Sequence, residues 1–200
     1  MAEDYTTARL VTLTDGVLSI AMTLLVLDIR LPGPVDGLGD AALWSQVLAI
    51  QPQLFSYGLS FLVVAILWLS HVQKFRHLTR TTGPMVWLNI LFLLGVGMVP
   101  FTTSLLAENG NAVSTAIYAV GMAFASLTLG LMTVQASRHR LADEASAPTM
   151  RSTSILTFGT AAIFLASAGL AFIDSDWAKY LWLLLIPLSV RRGRVQSGQH

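Results

Sequence analysis

The first apolar segment of the chain contains side chains that could handle ions. Asp15 lies inside this segment, and hydroxyl side chains surround it. These are Thr12, Thr14, Ser19 and Thr23. An ionisable residue at membrane depth must face protein or water, and by default it indicates function. Hydroxyl oxygens can coordinate a cation that has lost part of its hydration shell, so this segment is the first candidate for a functional site.

Helical geometry groups six positions of this segment on one stripe about 100° wide, with Asp15 at its edge. The stripe comprises Thr12, Gly16, Ser19, Ile20, Thr23 and Leu27. One interpretation is helix packing, since small and hydroxyl residues are common where membrane helices approach closely and threonine often bonds its own i−4 carbonyl. The other is a pore, in which Ile20 and Leu27 form hydrophobic constrictions and Thr23 offers oxygen ligands. A pore requires several copies of the helix around a symmetry axis.

Composition indicates that lipid surrounds this helix. The chain has 200 residues, of which 54% are hydrophobic and 12% charged, whereas soluble domains are roughly 25% charged. Its mean hydropathy is +0.65. The lack of cysteine excludes disulfides, thiolate metal sites and a cysteine nucleophile. A net charge of +1 excludes a strongly basic nucleic-acid binder.

Six apolar segments have about the length that a membrane-spanning helix requires. They are predicted at 12–29, 43–70, 85–106, 112–137, 154–173 and 177–190. The last is short, and Lys179 and Pro187 weaken it. The sequence therefore predicts an all-α membrane protein with a single six-helix domain over residues 1–190 and a basic cytoplasmic tail over 191–200.

The basic residues orient this bundle. Of the 12 lysine and arginine residues, all but Arg30 and Lys179 fall on one side. Because basic residues concentrate in cytoplasmic loops, both termini are predicted to be cytoplasmic. Pro100 is predicted to kink the third helix, and Gly95 and Gly97 to mark a close helix contact. The tryptophans are expected mostly near the membrane interfaces.

Short motifs in the first helices resemble the transmembrane protein 175 family, the potassium channels of lysosomes with smaller prokaryotic relatives. The family pattern is Arg, three residues, then Phe-Ser-Asp, and this chain has Arg9 and Asp15 with Leu13 and Thr14 at the intervening motif positions. Further segments follow in the family's order. They are Tyr57-Gly-Leu-Ser60-Phe61, Trp68-Leu-Ser-His71, Trp87-Leu-Asn89, Val99-Pro100-Phe101-Thr102 and Tyr118. The resemblance covers most of residues 9–140.

The resemblance implies a potassium-selective channel in the plasma membrane of a prokaryote. It implies a homotetramer, with one six-helix repeat per chain and the four first helices lining a pore without a Thr-Val-Gly-Tyr-Gly filter. By position relative to Asp15, the family's constriction falls on Ile20, its selectivity threonine on Thr23 and a further pore residue on Leu27. These residues and Gly16 lie on the stripe found by geometry, which favours the pore over packing. The expected partners are the other subunits, the lipid bilayer and monovalent cations, with K⁺ permeant and no cofactor or nucleic acid.

The remaining polar residues are predicted to be structural. Arg9, Thr14 and Asp15 are expected in a network near the cytoplasmic mouth, because each charge at this depth needs a partner. Candidate partners on the second and third helices are His71, Asn89 and Trp87. The resemblance implies cross-helix contacts of the same kind. His71 and His77 lack further ligands at useful spacing, so no metal site is predicted.

Two other functions compete with the channel. An ion- or proton-coupled secondary transporter would use Asp15, but transporters usually show internal repeats and broken helices, and the sequence shows neither. A membrane enzyme would need convergent acid, base or metal residues, and the apolar segments offer little beyond Asp15. A proton leak through the same pore is a variant of the channel.

Overall fold

Helices form the regular structure of this chain in the computed structural model, which describes residues 2–34, 36–142 and 147–183. They are α1 (Ala2–Leu24), α2 (Asp40–Ala49), α3 (Gln51–Arg76), α4 (Gly83–Gly97), α5 (Val99–Asn109), α6 (Ala112–Arg138), α7 (Ala147–Leu170) and α8 (Ser175–Leu183). A turn of 3-10 helix, Leu25–Asp28, extends α1.

Five helical stretches among the described residues are long and apolar enough to cross a membrane. They are Thr7–Asp28, Gln51–Arg76, Gly83–Asn109, Ala112–Arg138 and Met150–Leu170. They overlap the first five predicted segments, and the all-α membrane class is confirmed. Helix α8 covers the beginning of the sixth predicted segment, 177–190. Residues 184–190 and the predicted tail 191–200 lie outside the described residues, so six spans and cytoplasmic termini stay predictions.

The second predicted helix, 43–70, differs from the structure at both ends. Helix α2 ends at Ala49 and α3 begins at Gln51. Pro52 explains the new start, because it has no backbone N–H and its fixed φ suits the first turn of a helix. Helix α3 continues to Arg76, where its basic last turn complements the negative end of the helix dipole.

The third span is interrupted next to Pro100, where the sequence predicts a kink. Helix α4 ends at Gly97 and α5 begins at Val99, so Pro100 lies in the first turn of α5. Pro100 has no N–H to donate, but helical bonds continue on both sides of it. The N–H of Met98 donates to the carbonyl of Leu94 at 3.3 Å and the N–H of Thr102 to that of Met98 at 3.0 Å. The stretch Gly83–Asn109 therefore remains one candidate span, interrupted at Met98.

Helix α6 is the centre of the packing. It contacts α4, α5 and α7, and small side chains such as Ala119 and Ala125 are fully buried along it. A Cβ added to Gly95 of α4 would lie 3.0 Å from Cδ1 of Phe124 and 3.1 Å from Cβ of Ala125 on α6. The predicted close helix contact is thus confirmed at Gly95. Gly97 makes no such contact with the described residues, because a Cβ there would have no atom within 4 Å apart from its chain neighbours and its own helix backbone.

The tryptophans divide into two groups. Trp44, Trp68, Trp87 and Trp177 are exposed, and their place at a membrane interface stays a prediction. Trp182 is fully buried and is therefore no interfacial anchor. Its indole N–H donates to the hydroxyl of Ser167 at 2.7 Å, which satisfies the polar end of the ring inside the bundle. Through this residue α8 packs against α7.

The two basic connections meet at one end of the bundle. The backbone N–H and hydroxyl of Thr79, after α3, donate to the carbonyl of Leu141, after α6, at 2.9 and 3.1 Å. Arg80 donates to the carbonyl of His139 at 3.3 Å. These bonds bring together the loops that the charge pattern assigned to one side.

Lys179 lies at the opposite end. Its ammonium group donates to the carbonyl of Gly110, the residue after α5, at 2.9 Å and pairs with Asp176 at 3.0 Å. Gly110 has a φ of 59°, a left-handed conformation that glycine adopts without strain. The lysine that weakened the prediction of the sixth helix therefore closes the α5–α6 turn.

We expect Gly95→Ala to destabilise the protein and Gly97→Ala to leave it unchanged or slightly more stable. The first adds a methyl group to a filled contact, at an expected cost of about 1–3 kcal/mol. The second adds it to open space and removes a flexible glycine from a helix end, a gain of at most about 1 kcal/mol. The midpoint of thermal unfolding in detergent measures both. Equal midpoints would contradict a tight contact between α4 and α6.

Candidate functional site

Helix α1 has one face that is attached to its own subunit. Buried side chains recur along it every three or four residues, the repeat of an amphipathic helix. They are Leu10, Thr14, Leu18, Ala21 and Leu25. This face packs against α3, α4 and α5. It fixes which residues the helix presents on its other side.

The stripe found in the sequence lies on the exposed side of α1. Ile20 is 58% and Leu27 63% exposed. Asp15 is half-buried at the border of the stripe. The other stripe residues are exposed as well, and they are Thr12, Gly16, Ser19 and Thr23. Packing within one subunit therefore does not explain the stripe, and its assignment to a pore stays a prediction.

The hydroxyl groups of the stripe all bond to the backbone of α1. The hydroxyl of Thr23 is 3.1 Å from the carbonyl of Ser19 and 2.9 Å from that of Ile20. Ser19 donates to the carbonyl of Asp15 at 2.7 Å. Because these bonds use the hydroxyl hydrogens, the oxygen lone pairs remain available on the open side. The exposed face presents acceptors, which suit a cation.

A hydrogen-bonded network anchors the buried face. The side-chain amide of Asn89, on α4, donates to the hydroxyl of Thr14 at 3.0 Å, and its oxygen is 2.9 Å from Nε2 of His71 on α3. All three residues are fully buried. The His71 ring is stacked between Phe75 and Phe92, at centroid distances of 4.1 and 5.6 Å. The network connects three helices through one amide.

Asp15 has a different partner from those predicted. Its carboxylate accepts a hydrogen bond of 2.8 Å from the indole N–H of Trp68 on α3. The predicted partners His71 and Asn89 bond to each other and to Thr14, and Trp87 is 67% exposed. The reason is rotational, since Asp15 follows Thr14 on the helix and therefore points about 100° away from the buried contact.

The spacing of the α3 residues could have identified Trp68. Trp68 and His71 are three positions apart, so they lie on neighbouring positions of one helix face. Because α3 directs His71 toward the Asn89–Thr14 pair, it also directs Trp68 toward the next polar residue of α1, which is Asp15. Arg9, the remaining member of the predicted network, lies on the exposed side of α1.

Among the described residues there is no group of three or more His, Cys, Asp or Glu side chains that could hold a metal ion.

Comparison with known proteins settles the family. Residues 9–100 match the profile described as endosomal/lysosomal potassium channel TMEM175. A potassium channel of Streptomyces collinus is 33% identical over 174 residues, which cover 84% of this chain and 83% of that one. The chain belongs to the TMEM175 family. With five candidate spans among the described residues, this member is a multi-pass membrane protein.

Two further relatives bear on fold and activity. The crystal structure of a lysosomal potassium-selective channel TMEM175 homolog from Chamaesiphon minutus has a TM-score of 0.79 at 25% identity and covers 94% of this chain and 98% of that chain. The mouse endosomal/lysosomal proton channel TMEM175 is 38% identical over 97 residues, 46% of this chain but 19% of the mouse protein. The region that matches the family profile, 9–100, contains Thr14, Asp15, Trp68, His71 and Asn89.

We expect Asn89→Leu to destabilise the protein by about 2 kcal/mol or more, because it leaves the buried Thr14 hydroxyl and His71 ring without their common partner. Asn109→Leu is the matched control, since Asn109 is exposed and its side chain, within the described part of the chain, bonds only to the carbonyl of Leu105 in its own helix. Thermal unfolding in detergent measures the difference. A midpoint for Asn89→Leu as high as that of the control would show that the network does not anchor α1.

Proposed function

We propose that this chain forms a homotetrameric, potassium-selective cation channel in which four copies of α1 surround the pore. The observation that carries the proposal is the face of α1 that holds Ile20, Thr23 and Leu27, which is apolar and hydroxyl-bearing yet open, while the opposite face is bonded to the subunit. Further copies of α1 around a symmetry axis would bring these side chains together around one shared pore. The relatives named as potassium channels support the same activity.

The order of side chains along α1 suits a filter between two constrictions. At a rise of about 1.5 Å per residue in α1 and about 2 Å in the 3-10 turn, Thr23 lies about 4.5 Å from Ile20 and about 7 Å from Leu27 along the axis. Rings of Ile20 and Leu27 exclude water and can gate by dewetting. The Thr23 oxygens between them offer ligands to a cation that has shed part of its hydration shell. K⁺ loses that shell at less cost than Na⁺, and no cofactor takes part.

The interrupted third span supports the channel over the coupled transporter. Transporter sites use unwound backbone whose free carbonyls coordinate ions. Here the amide groups of Met98 and Thr102 on both sides of Pro100 keep helical bonds. Asp15 is proposed to be structural, because Trp68 donates to its carboxylate at the border of the anchored face. The channel would lie in a prokaryotic plasma membrane with both termini in the cytoplasm.

Thr23→Ala is expected to reduce the preference for K⁺ over Na⁺ severalfold, because it removes the proposed oxygen ring. Thr128→Ala on α6 is the matched control, since its hydroxyl makes the same two backbone bonds, to Phe124 at 3.0 Å and Ala125 at 2.9 Å. Reversal potentials of the purified protein in planar bilayers, with K⁺ and Na⁺ on opposite sides, give the ratio. An unchanged ratio in Thr23→Ala would contradict the filter.

Ile20→Asn is expected to increase the resting flux tenfold or more, because a polar ring no longer excludes water from the constriction. Ile117→Asn on α6 is the control, since it places the same polar group on another partly exposed apolar side chain. The assay is flux from liposomes under a K⁺ gradient, with a proton-sensitive dye to record any proton leak. Equal flux in the two variants would remove Ile20 from the conduction path.

Trp68→Phe is expected to lower the yield of intact tetramers, because the Asp15 carboxylate loses its hydrogen-bond donor. Trp87→Phe, at an exposed position, is the control. Asp15→Asn retains an acceptor for Trp68 and removes the charge, so tetramers that form should keep the wild-type reversal potential. A shifted reversal potential, or saturable flux coupled to a second ion, in intact Asp15→Asn tetramers would favour the transporter.

A further inference from the structure

A second site lies beside the basic loops, away from α1. Helices α6 and α7 enclose a groove of about 780 Å³. One part of its lining is apolar and the other basic. The apolar part comprises Val134, Met150, Ile155 and Phe158, and the basic part Arg138, Arg140 and Arg151. The basic part lies at the end of α6, just after it and near the start of α7, and most of the apolar part lies farther along the two helices.

The basic part is suited to an anion. Arg138, Arg140 and Arg151 are exposed, and none of them forms a hydrogen bond or ion pair with the described part of the chain. No carboxylate belongs to the described lining, and Asp143 and Glu144, in the connection between α6 and α7, lie outside the described residues. Three guanidinium groups around one groove repel each other, and a phosphate relieves that repulsion while accepting paired N–H bonds.

The apolar part extends into the membrane-spanning stretch of α7. Ile155 is 65% exposed and lies inside the span Met150–Leu170, so the groove is open toward hydrocarbon. Its wall is firmly packed, since a Cβ added to Gly130 of α6 would lie 2.8 Å from the ring of Phe158. The occupant should therefore have an apolar chain joined to an anionic head.

The chain's own C-terminal segment is a poor occupant. Residues 184–200 contain Arg191, Arg192 and Arg194 and no acidic residue. The arginines of this segment and those of the groove have the same charge and would repel each other. The charge complementarity instead favours a negatively charged amphiphile from the adjoining leaflet.

We propose that this groove binds one anionic phospholipid of the cytoplasmic leaflet. The phosphate lies among the three arginines, and an acyl chain runs along Ile155 and Phe158. Basic pockets between membrane helices on the cytoplasmic side suit acidic headgroups. This site is independent of the pore, because it uses α6 and α7 and none of the exposed residues of α1.

Native mass spectrometry of the detergent-purified protein tests the proposal. The protein is titrated with phosphatidylglycerol and with phosphatidylcholine of the same acyl chains. We expect one saturable phosphatidylglycerol per chain and no saturable phosphatidylcholine. The combined variant Arg138→Gln, Arg140→Gln and Arg151→Gln should weaken this binding by roughly tenfold or more. The combined variant Arg191→Gln, Arg192→Gln and Arg194→Gln makes the same change in charge and should stay within about twofold of wild type.

Two further measurements distinguish a lipid site from a phosphate site. The unfolding midpoints of the variants then show whether each one is folded. Glycerol phosphate, the headgroup without acyl chains, should fail to displace the lipid, and Ile155→Asn should weaken lipid binding severalfold with the arginines intact. Each variant's unfolding midpoint is measured, and Arg151→Gln alone replaces the triple variant if that one does not fold. The proposal is overturned if phosphatidylcholine binds equally well, if the tail variant loses as much binding as the groove variant, or if glycerol phosphate displaces the lipid.

Discussion

The rotational setting of α1 depends on one buried amide. Asn89 bonds to Thr14 on α1 and to His71 on α3, and all three side chains are shielded from water. Turning α1 by a single residue would leave these polar groups unpaired in an apolar surrounding, at a cost of about 2 kcal/mol or more. The network therefore holds α1 in one orientation. The opposite face is open as a consequence, and it carries Ile20 and Thr23.

The pattern of helix contacts separates this open face from the rest of the subunit. Helix α1 packs against α3, α4 and α5, whereas α7 and α8 pack on α6. Small residues make the α4–α6 contact close, as the fit of Gly95 against Ala125 shows. In the proposed tetramer, this closely packed layer would hold the four copies of α1 at a fixed distance from the common axis. The lipid groove proposed between α6 and α7 lies on the other side of that layer.

Much of this architecture follows from the sequence, because its physical causes are local. Hydropathy locates the five spans, Pro100 marks the interruption of the third span, and helical periodicity alone assigns Ile20, Thr23 and Leu27 to one face. Thr14, His71 and Asn89 could be predicted as a network because buried polar groups need partners. The restart of α3 at Gln51 could also have been predicted, since Pro52 follows it directly. The remaining differences concern contacts between distant helices. Trp68 bonds to Asp15, and Trp182 is buried, only because of how α3 and α8 are rotated against their neighbours.

Cysteine cross-linking tests most directly whether four copies of α1 meet at an axis, since the native chain has no cysteine. Ile20→Cys introduces one thiol on the exposed face, and Leu18→Cys places one on the buried face of the same helix. The account predicts that mild oxidation joins subunits of Ile20→Cys tetramers in pairs and that a water-soluble thiol reagent blocks their K⁺ flux, while Leu18→Cys shows neither effect. Ile20→Cys tetramers that neither cross-link nor lose flux would contradict the account.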